Sequence, residues 1–198
     1  MSLTQKRPVL DARPSPADLA QMRSLSTERM RTLYDISPDW NPDAHVDQKL
    51  LDRILRAEGT PRAIETFSKN TGKMDDYTYW YTLGTLWVSY SGHSLLTTWR
   101  HLLSSDRPNR HTSLMKPSEV AALAEMPDVI VAYRAHRKGE RDWLSYTLDQ
   151  QIAERFARER KHQDIRRYTI HKSHVLAYFT RRQEQELMVL DPAHALTF

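Results

Sequence analysis

The first 126 residues carry apolar side chains at intervals of three and four, the spacing of amphipathic helices that bury one face. Prolines near predicted helix starts, as in Ser15-Pro16, Thr60-Pro61 and Pro117-Ser118, support this pattern. The clearest segments are residues 19–33, 46–55, 63–67 and 80–90. The pattern predicts a helical N-terminal region over residues 14–126, preceded by a tail over residues 1–13.

The spacing changes after Pro127, where short runs rich in β-branched and aromatic residues replace the helical period. Five such runs are present: Val129–Tyr133, Trp143–Thr147, Ile165–Ile170, Val175–Phe179 and Glu186–Leu190. Sheets of a few short strands are marginally stable alone, so we expect the helices to complete their core. The predicted fold class is α+β, with the helices packed on a small mixed β core over residues 127–198.

A single helix is predicted inside this second region, between Thr147 and Lys161. Its apolar face contains Ile152, Ala153, Phe156 and Ala157, while the arginines and glutamates of the segment lie largely outside that face. Thr147 or Asp149 is suited to cap its first turn.

Composition restricts the kind of protein and its location. The 198 residues have a net charge of +4 with well-mixed signs, which permits an anionic ligand but lacks the dense basic stripe of a nucleic-acid-binding domain. No cysteine is present, which excludes disulfides and thiolate zinc sites. The first residues lack the apolar core of a secretory signal, so we expect a cytoplasmic protein.

Residues 77–99 contain no Asp, Glu, Lys or Arg, which raises the question of a membrane span. The segment also holds eight Ser and Thr residues and two glycines, so it predicts a buried helix pair that breaks near Ser91-Gly92, and no membrane partner. Its Tyr and Trp residues could stack on bases, but no Lys or Arg is interleaved with them, which favours a packing role.

Four polar residues in strand-like settings carry the candidate chemistry. Glu184 and Glu186 stand two apart at the start of an apolar run, where alternation would point both to one side and set like charges together. Upstream, the guanidinium of Arg134 can donate two hydrogen bonds to a phosphate, and the hydroxyl of Ser145 can form a hydrogen bond with a sugar hydroxyl. A carboxylate beside an anomeric carbon stabilises an oxocarbenium ion. Phosphate, sugar and a developing ring cation are the features of NAD⁺ whose glycosidic bond is being cleaved, with nicotinamide as the leaving group.

The order of these motifs resembles that of the ADP-ribosyltransferases of the Arg-Ser-Glu class. The motifs, which span residues 128–192, are Tyr133-Arg134-Ala135, Trp143-Leu144-Ser145-Tyr146-Thr147, the helical Ala153-Glu154-Arg155-Phe156-Ala157, and Glu184-Gln185-Glu186. In that family an arginine ends the first core strand, a hydroxyl motif lies on the next, and a Glu-x-Glu precedes a late strand. The helical leader resembles that of small phage and prophage proteins of this type, which would act in the host cytoplasm.

The resemblance implies a role for each matched residue. Arg134 would bind the NAD⁺ phosphate, and Ser145 would hold the catalytic glutamate and the nicotinamide ribose. Glu186 would bond the ribose 2′-hydroxyl and stabilise the oxocarbenium ion, while Glu184 would orient or deprotonate the acceptor, an arginine in members of the family. Phe156 stands where some members stack an aromatic ring on nicotinamide.

Two positions depart from the family's pattern. Ala135 replaces a glycine whose backbone contacts the nicotinamide amide, which keeps the N–H but narrows the approach. The hydroxyl motif reads Ser145-Tyr146-Thr147, with a bulky middle residue and Thr147 as a further cofactor-binding candidate. The loop that recognises the acceptor in the family would be short here or supplied elsewhere.

Other interpretations of the same residues stay open. Arg134 could be a surface residue paired with Glu140 or Asp142, and Phe156 could belong to the core. Glu184 and Glu186 could be solvated edge residues that discourage sheet pairing. His171 and His174 with His162 lack a supporting acid at ligand spacing, so no metal site is predicted.

The sequence therefore predicts an NAD-dependent mono-ADP-ribosyltransferase that modifies a macromolecular acceptor, with protein preferred over nucleic acid. Two alternatives remain. One is a non-catalytic effector module of the same fold that binds a nucleotide or a host factor. The other is an NAD glycohydrolase, in which water replaces the acceptor.

Overall fold

A computed structural model describes residues 27–90, 92 and 94–197 of the chain. Seven helices precede the sheet in this part: α1 (Thr27–Tyr34), α2 (Gln48–Leu55), α3 (Pro61–Ser68), α4 (Asp76–Ser89), α5 (Leu96–Leu103), α6 (Arg110–Ser113) and α7 (Pro117–Ala124). The predicted helical region is therefore present where it is described. The predicted tail and the helix start at Ser15-Pro16 lie outside the described residues.

Capping and burial explain why these helices form where they do. The side chain of Asp47 accepts a hydrogen bond from Leu50 N at the start of α2, and Asp75 does the same for Thr78 N at α4. The predicted inner face of α3, including Ile64 and Phe67, is buried. Leu33 is the exception, because its side chain on α1 is 64% exposed instead of facing the core.

The second region folds into a sheet with an inserted helix, α8 (Gln150–Glu159), capped by the Asp149 side chain. The strands are β1 (Val129–Ala135), β2 (Ser145–Thr147), β3 (Ile165–His171), β4 (Ala177–Phe179), β5 (Glu186–Met188) and β6 (Ala195–Thr197). They lie in the order β4-β5-β2-β1-β3-β6. Strand β6 was not predicted from the sequence, because this three-residue edge strand is defined by its pairing with β3.

The expectation of a mixed sheet is wrong, because every neighbouring pair of strands in the described sheet is antiparallel. β2 and β3 are joined through α8 and run in the same direction, as a helical crossover requires. However, β1 lies between them and pairs antiparallel with both. The crossover helix therefore passes over one strand and packs against β1.

A continuous hydrophobic cluster joins the helices to the sheet. It contains Ile54, Phe67 and Trp99 from the helical region together with Ile170 and Leu187 from the sheet, all nearly or completely buried. The inner surface of the sheet is thus covered by the helices, which supply the apolar area that six short strands lack.

Two ion pairs fix the helical region onto the sheet region. Arg100 on α5 forks onto the Asp142 carboxylate in the β1–β2 connection and also donates to Leu190 O at 2.9 Å. Glu119 on α7 pairs with Arg181 in the β4–β5 connection at 3.1 Å, and both side chains are nearly buried. These contacts restrain the two connections that border the site described below.

None of the helices in the described part of the chain is both long and apolar enough to cross a bilayer. The uncharged segment instead forms most of α4 and the start of α5, with the chain leaving the helical conformation after Ser89. The prediction of a helix pair in this segment is confirmed.

Candidate functional site

A pocket opens between the α4–α5 connection, the adjacent strands β1, β2 and β5, and α8. It contains about 790 Å³ of space, part of it open to solvent. A smaller pocket shares its wall along the sheet. All seven candidate site residues line one or both pockets: Arg134, Ala135, Ser145, Thr147, Phe156, Glu184 and Glu186.

Strand pairing brings the separate motifs together. β2 pairs with β1 on one side and with β5 on the other, with Thr147 opposite both Tyr133 and Glu186. Arg134 near the end of β1 can therefore reach across to β2, where Nη1 donates to Ser145 O at 2.7 Å. Residues distant in sequence become neighbours because three short strands are adjacent.

The two glutamates face the same pocket, but simple strand alternation does not place them there. β5 begins at Glu186, and Gln185 before it has a φ of 46°, outside the extended region. The position of Glu184 is fixed by the buried Thr147, whose hydroxyl donates to Glu184 O at 2.6 Å. Thr147 thus holds the backbone of one glutamate at the pocket wall.

Glu186 has an unusual electrostatic environment. Burial and the negative charge of Glu184 raise its pKa from 4.5 to about 7. The Ser145 hydroxyl, the nearby Trp87 ring N–H and the positive charge of Arg182 favour the ionised form but offset only part of this shift. The like-charge conflict expected from the sequence is therefore present, and Ser145 is close enough to moderate it.

Glu184 lies between two cations of the same chain. Its Oε1 is 3.6 Å from Arg155 Nη2 on α8 and 3.5 Å from Arg182 Nη2 in the β4–β5 connection. The Glu184 side chain is only 15% exposed, so both guanidinium groups approach a largely desolvated carboxylate. This carboxylate is already directed at guanidinium nitrogens.

Arg134 takes part in an ion pair with Glu140. Its Nη2 and Nε donate to the two carboxylate oxygens at 2.8 and 3.2 Å. Glu140 also accepts from His136 Nδ1 at 3.1 Å. Burial alone would raise the pKa of Glu140, but these hydrogen bonds and the Arg134 charge lower it to about 2. The pair with Glu140 considered from the sequence is present, although it is largely buried, and Asp142 pairs with Arg100 instead.

Phe156 is half-buried at the pocket and lies outside the hydrophobic core cluster, which disfavours the alternative that it belongs to the core. The guanidinium carbons of Arg155 and Arg160 each lie 5.1 Å from its ring centre. Arg160 also donates to Ala135 O at 2.6 Å and lines both pockets. Although we expected this arginine outside the inner face of α8, it follows the helix end and turns back to the site.

The helical region contributes an aromatic wall that sequence reasoning missed. Trp87 and Tyr90 line the pocket, while Trp99 packs edge-on against Trp87 with ring centres 5.1 Å apart. Trp87 Nε1 is buried without a partner at hydrogen-bond distance among the described residues, although it is near enough to Glu186 to favour ionisation. The sequence feature that could have indicated this wall was the uncharged aromatic segment over residues 77–99, to which we assigned a packing role alone.

The described residues contain no group of three histidine or acidic side chains arranged to hold a metal ion. His174 stacks on His194 with ring centres 3.9 Å apart, and His171 lies 6.3 Å from His174. None of these three histidines lines either site pocket.

The pocket combines an aromatic wall, several arginines and a coupled pair of carboxylates. Such a site suits a ligand with a flat ring, an anionic group and a carbon that becomes positively charged during reaction. Searches with the chain against models of known protein families, curated protein sequences and solved structures found no significant match.

Proposed function

We propose that this protein is an NAD⁺-dependent mono-ADP-ribosyltransferase with an ADP-ribosyltransferase-type sheet. The observation that carries the proposal is the meeting of Arg134, Ser145, Phe156, Glu184 and Glu186 around one pocket. They come from four separate stretches of the chain, and their meeting depends on the β1-β2-β5 order. A set of surface residues with unrelated roles would not be expected to converge in this way.

Each of these pocket residues can be assigned a role in the proposed reaction. Phe156 and the aromatic wall would hold the nicotinamide ring, and Arg134 or a neighbouring arginine would contact a phosphate. Glu186 would stabilise positive charge as the bond between the ribose C1′ and nicotinamide breaks. Glu184 would receive a proton from the acceptor nitrogen that attacks C1′. The pocket is a cleft lined by aromatic side chains and a few convergent charged groups, as small-molecule sites commonly are.

A second candidate is a non-catalytic nucleotide-binding or partner-binding module of the same shape. The paired hydrogen bonds between Arg134 and Glu140 favour the partner-binding form, because a phosphate would have to share or displace a guanidinium that already has a carboxylate partner. If the module binds a nucleotide instead, NAD⁺ would stabilise the protein against heat without being cleaved.

The experiment is incubation of the purified protein with labelled NAD⁺ and a cell lysate. The proposal expects free nicotinamide together with labelled macromolecules that survive denaturation. Nicotinamide without labelled macromolecules would indicate glycohydrolase activity instead. Thermal stabilisation by NAD⁺ without release of nicotinamide would favour the binding module and contradict the proposal.

A further inference from the structure

Glu184 already contacts the chemical group that its proposed partner would carry. Arg155 and Arg182 each place Nη2 within 3.6 Å of Glu184 Oε1. A guanidine nitrogen becomes a nucleophile when a carboxylate removes a proton from it during attack. The pocket therefore contains a base next to nitrogen nucleophiles of the same chain.

The two arginines are placed differently with respect to the pocket. Arg182 lines it together with Glu184 and Glu186, and its Nη1 donates to Val88 O at 3.0 Å. That bond fixes the guanidinium plane beside the Glu184 carboxylate. Arg155 is on the outward face of α8, with its side chain 44% exposed, and is not part of the pocket wall.

Backbone geometry supports a fixed position for Arg182. The β4–β5 connection turns sharply, with Gln183 at a φ of 56° directly after Arg182. Its neighbour Arg181 is held by the nearly buried Glu119. Both anchors restrain the segment, so Arg182 remains near the carboxylates instead of extending into solvent.

We propose that Arg182 is a site of self-modification, at which the protein attaches ADP-ribose to its own guanidinium group within the same molecule. The proposal rests on the NAD⁺-dependent activity proposed above. It identifies a guanidinium nitrogen as the acceptor chemistry and the protein itself as the first acceptor.

The step balances as a displacement at the ribose. The bond between C1′ and the nicotinamide nitrogen breaks, and its electron pair leaves with neutral nicotinamide. A guanidine nitrogen of Arg182 forms the new bond to C1′. The proton lost from that nitrogen passes to Glu184 and then to solvent, and Glu186 stabilises the developing positive charge. NAD⁺ is the co-reactant and nothing is oxidised.

Self-modification would limit later turnover. An ADP-ribose group on Arg182 would occupy the pocket that the next NAD⁺ has to enter. We therefore expect nicotinamide release to slow as the adduct accumulates, and protein that has been fully modified to bind NAD⁺ poorly.

The test is peptide mapping by mass spectrometry after incubation of the intact protein with NAD⁺ alone. The expected result is an ADP-ribose adduct on Arg182, formed at a rate per molecule that does not depend on protein concentration. Arg182→Lys should lose this adduct. Arg155→Lys is the matched control, which changes the other guanidinium at Glu184 and should retain the adduct.

Other outcomes separate this inference from the proposed function. Nicotinamide release or labelling of added acceptors without an adduct on Arg182 would overturn self-modification and leave the enzyme assignment standing. An adduct on Arg155 instead, or a rate that rises with protein concentration, would also overturn it. Absence of both nicotinamide release and adduct would overturn the inference and the proposed function together.

Discussion

At the residue scale, the carboxylate pair controls the chemistry of the site. Because Glu186 must be ionised to stabilise a cation, and its pKa is raised to about 7, nicotinamide release should increase as the pH rises through that value. Glu184→Gln removes the repulsion and should move the midpoint to lower pH. A rate that is flat across neutral pH, or a midpoint that moves upward in the variant, would contradict this assignment.

The raised pKa of Glu186 makes the stability of the fold change with pH in the direction opposite to that of the activity. The folded-state pKa of Glu186 lies above its ordinary value of 4.5, so the folded protein binds this proton more tightly than the unfolded chain. Its contribution to stability is therefore full below about pH 4.5 and is lost as the pH rises through about 7. The site therefore becomes active in the pH range in which this contribution to stability has been lost.

Phe156→Ala tests the role of the pocket aromatic. The side chain is only half-buried, so we expect a loss of unfolding free energy well below the roughly 3–5 kcal/mol typical of a core phenylalanine. NAD⁺ affinity should fall, because a ring contact is worth about 0.5–1.5 kcal/mol. Phe67→Ala is the control, since Phe67 is fully buried and should show the full stability loss. Calorimetry with NAD⁺ and thermal melts measure the two effects.

The residue types of the site could be predicted from the sequence, but their partners could not. Arg134, Ser145 and the two glutamates could be identified from the chemistry of their side chains and from the strand-like sequence around them. Glu140 lies in a charged loop, and only the folded chain shows that its carboxylate is nearly buried against Arg134. Arg160 was misplaced because its side chain turns back after the helix has ended.

At the element scale, the β1–β2 connection depends on Glu140. Glu140→Gln should cost about 2–4 kcal/mol, because it leaves a largely buried guanidinium without its counter-charge. Asp142→Asn is the matched control, since its pair with Arg100 is more exposed and such pairs contribute roughly 0–1 kcal/mol. Chemical denaturation of both variants measures the difference, and equal losses would contradict the assigned role of Glu140.

The effect of Glu140 on stability depends on pH in a defined direction. The folded-state pKa of Glu140 is lowered to about 2, so the carboxylate stabilises the fold above its unfolded value and loses this contribution as the pH falls through about 2. The stability of the wild-type protein should therefore decline on acidification more steeply than that of Glu140→Gln.

Helix α4 depends on a close approach at Gly84. A Cβ built at this position would lie 2.2 Å from Leu114 O, so Gly84→Ala should destabilise the fold by about 1–3 kcal/mol, although alanine normally favours a helix. Gly72→Ala is the control, because a Cβ there has nothing within 4 Å. Thermal melts in which both variants behave alike would show that α4 and the segment at Leu114 are not in tight contact.

Helices were easier to predict than strands for a physical reason. Helix starts carry local signals, such as Asp149 before α8 and Pro117 in α7, which act within one turn. Strands depend on partners elsewhere in the chain. β2 and β5 are therefore shorter than their apolar runs, and β6 has no local signal beyond its pairing with β3.

At the scale of the whole molecule, the site belongs to both regions. The sheet supplies the charged residues, while Trp87 and Tyr90 from the helical region form the facing wall. The shared hydrophobic cluster fixes the two surfaces relative to each other. The short predicted strands indicated that the helices would complete the core. That the helices would also complete the pocket depended on tertiary packing.

The most direct test of the central claim is nicotinamide release from NAD⁺ by the wild-type protein and by two matched variants, each confirmed as folded by circular dichroism. Glu186→Gln should lower the rate by about 10²–10³, because a neutral amide cannot stabilise the developing charge. Glu184→Gln should stop transfer to acceptors while slow hydrolysis of NAD⁺ continues. If Glu186→Gln releases nicotinamide at the wild-type rate, the proposed enzyme activity does not reside in this pocket.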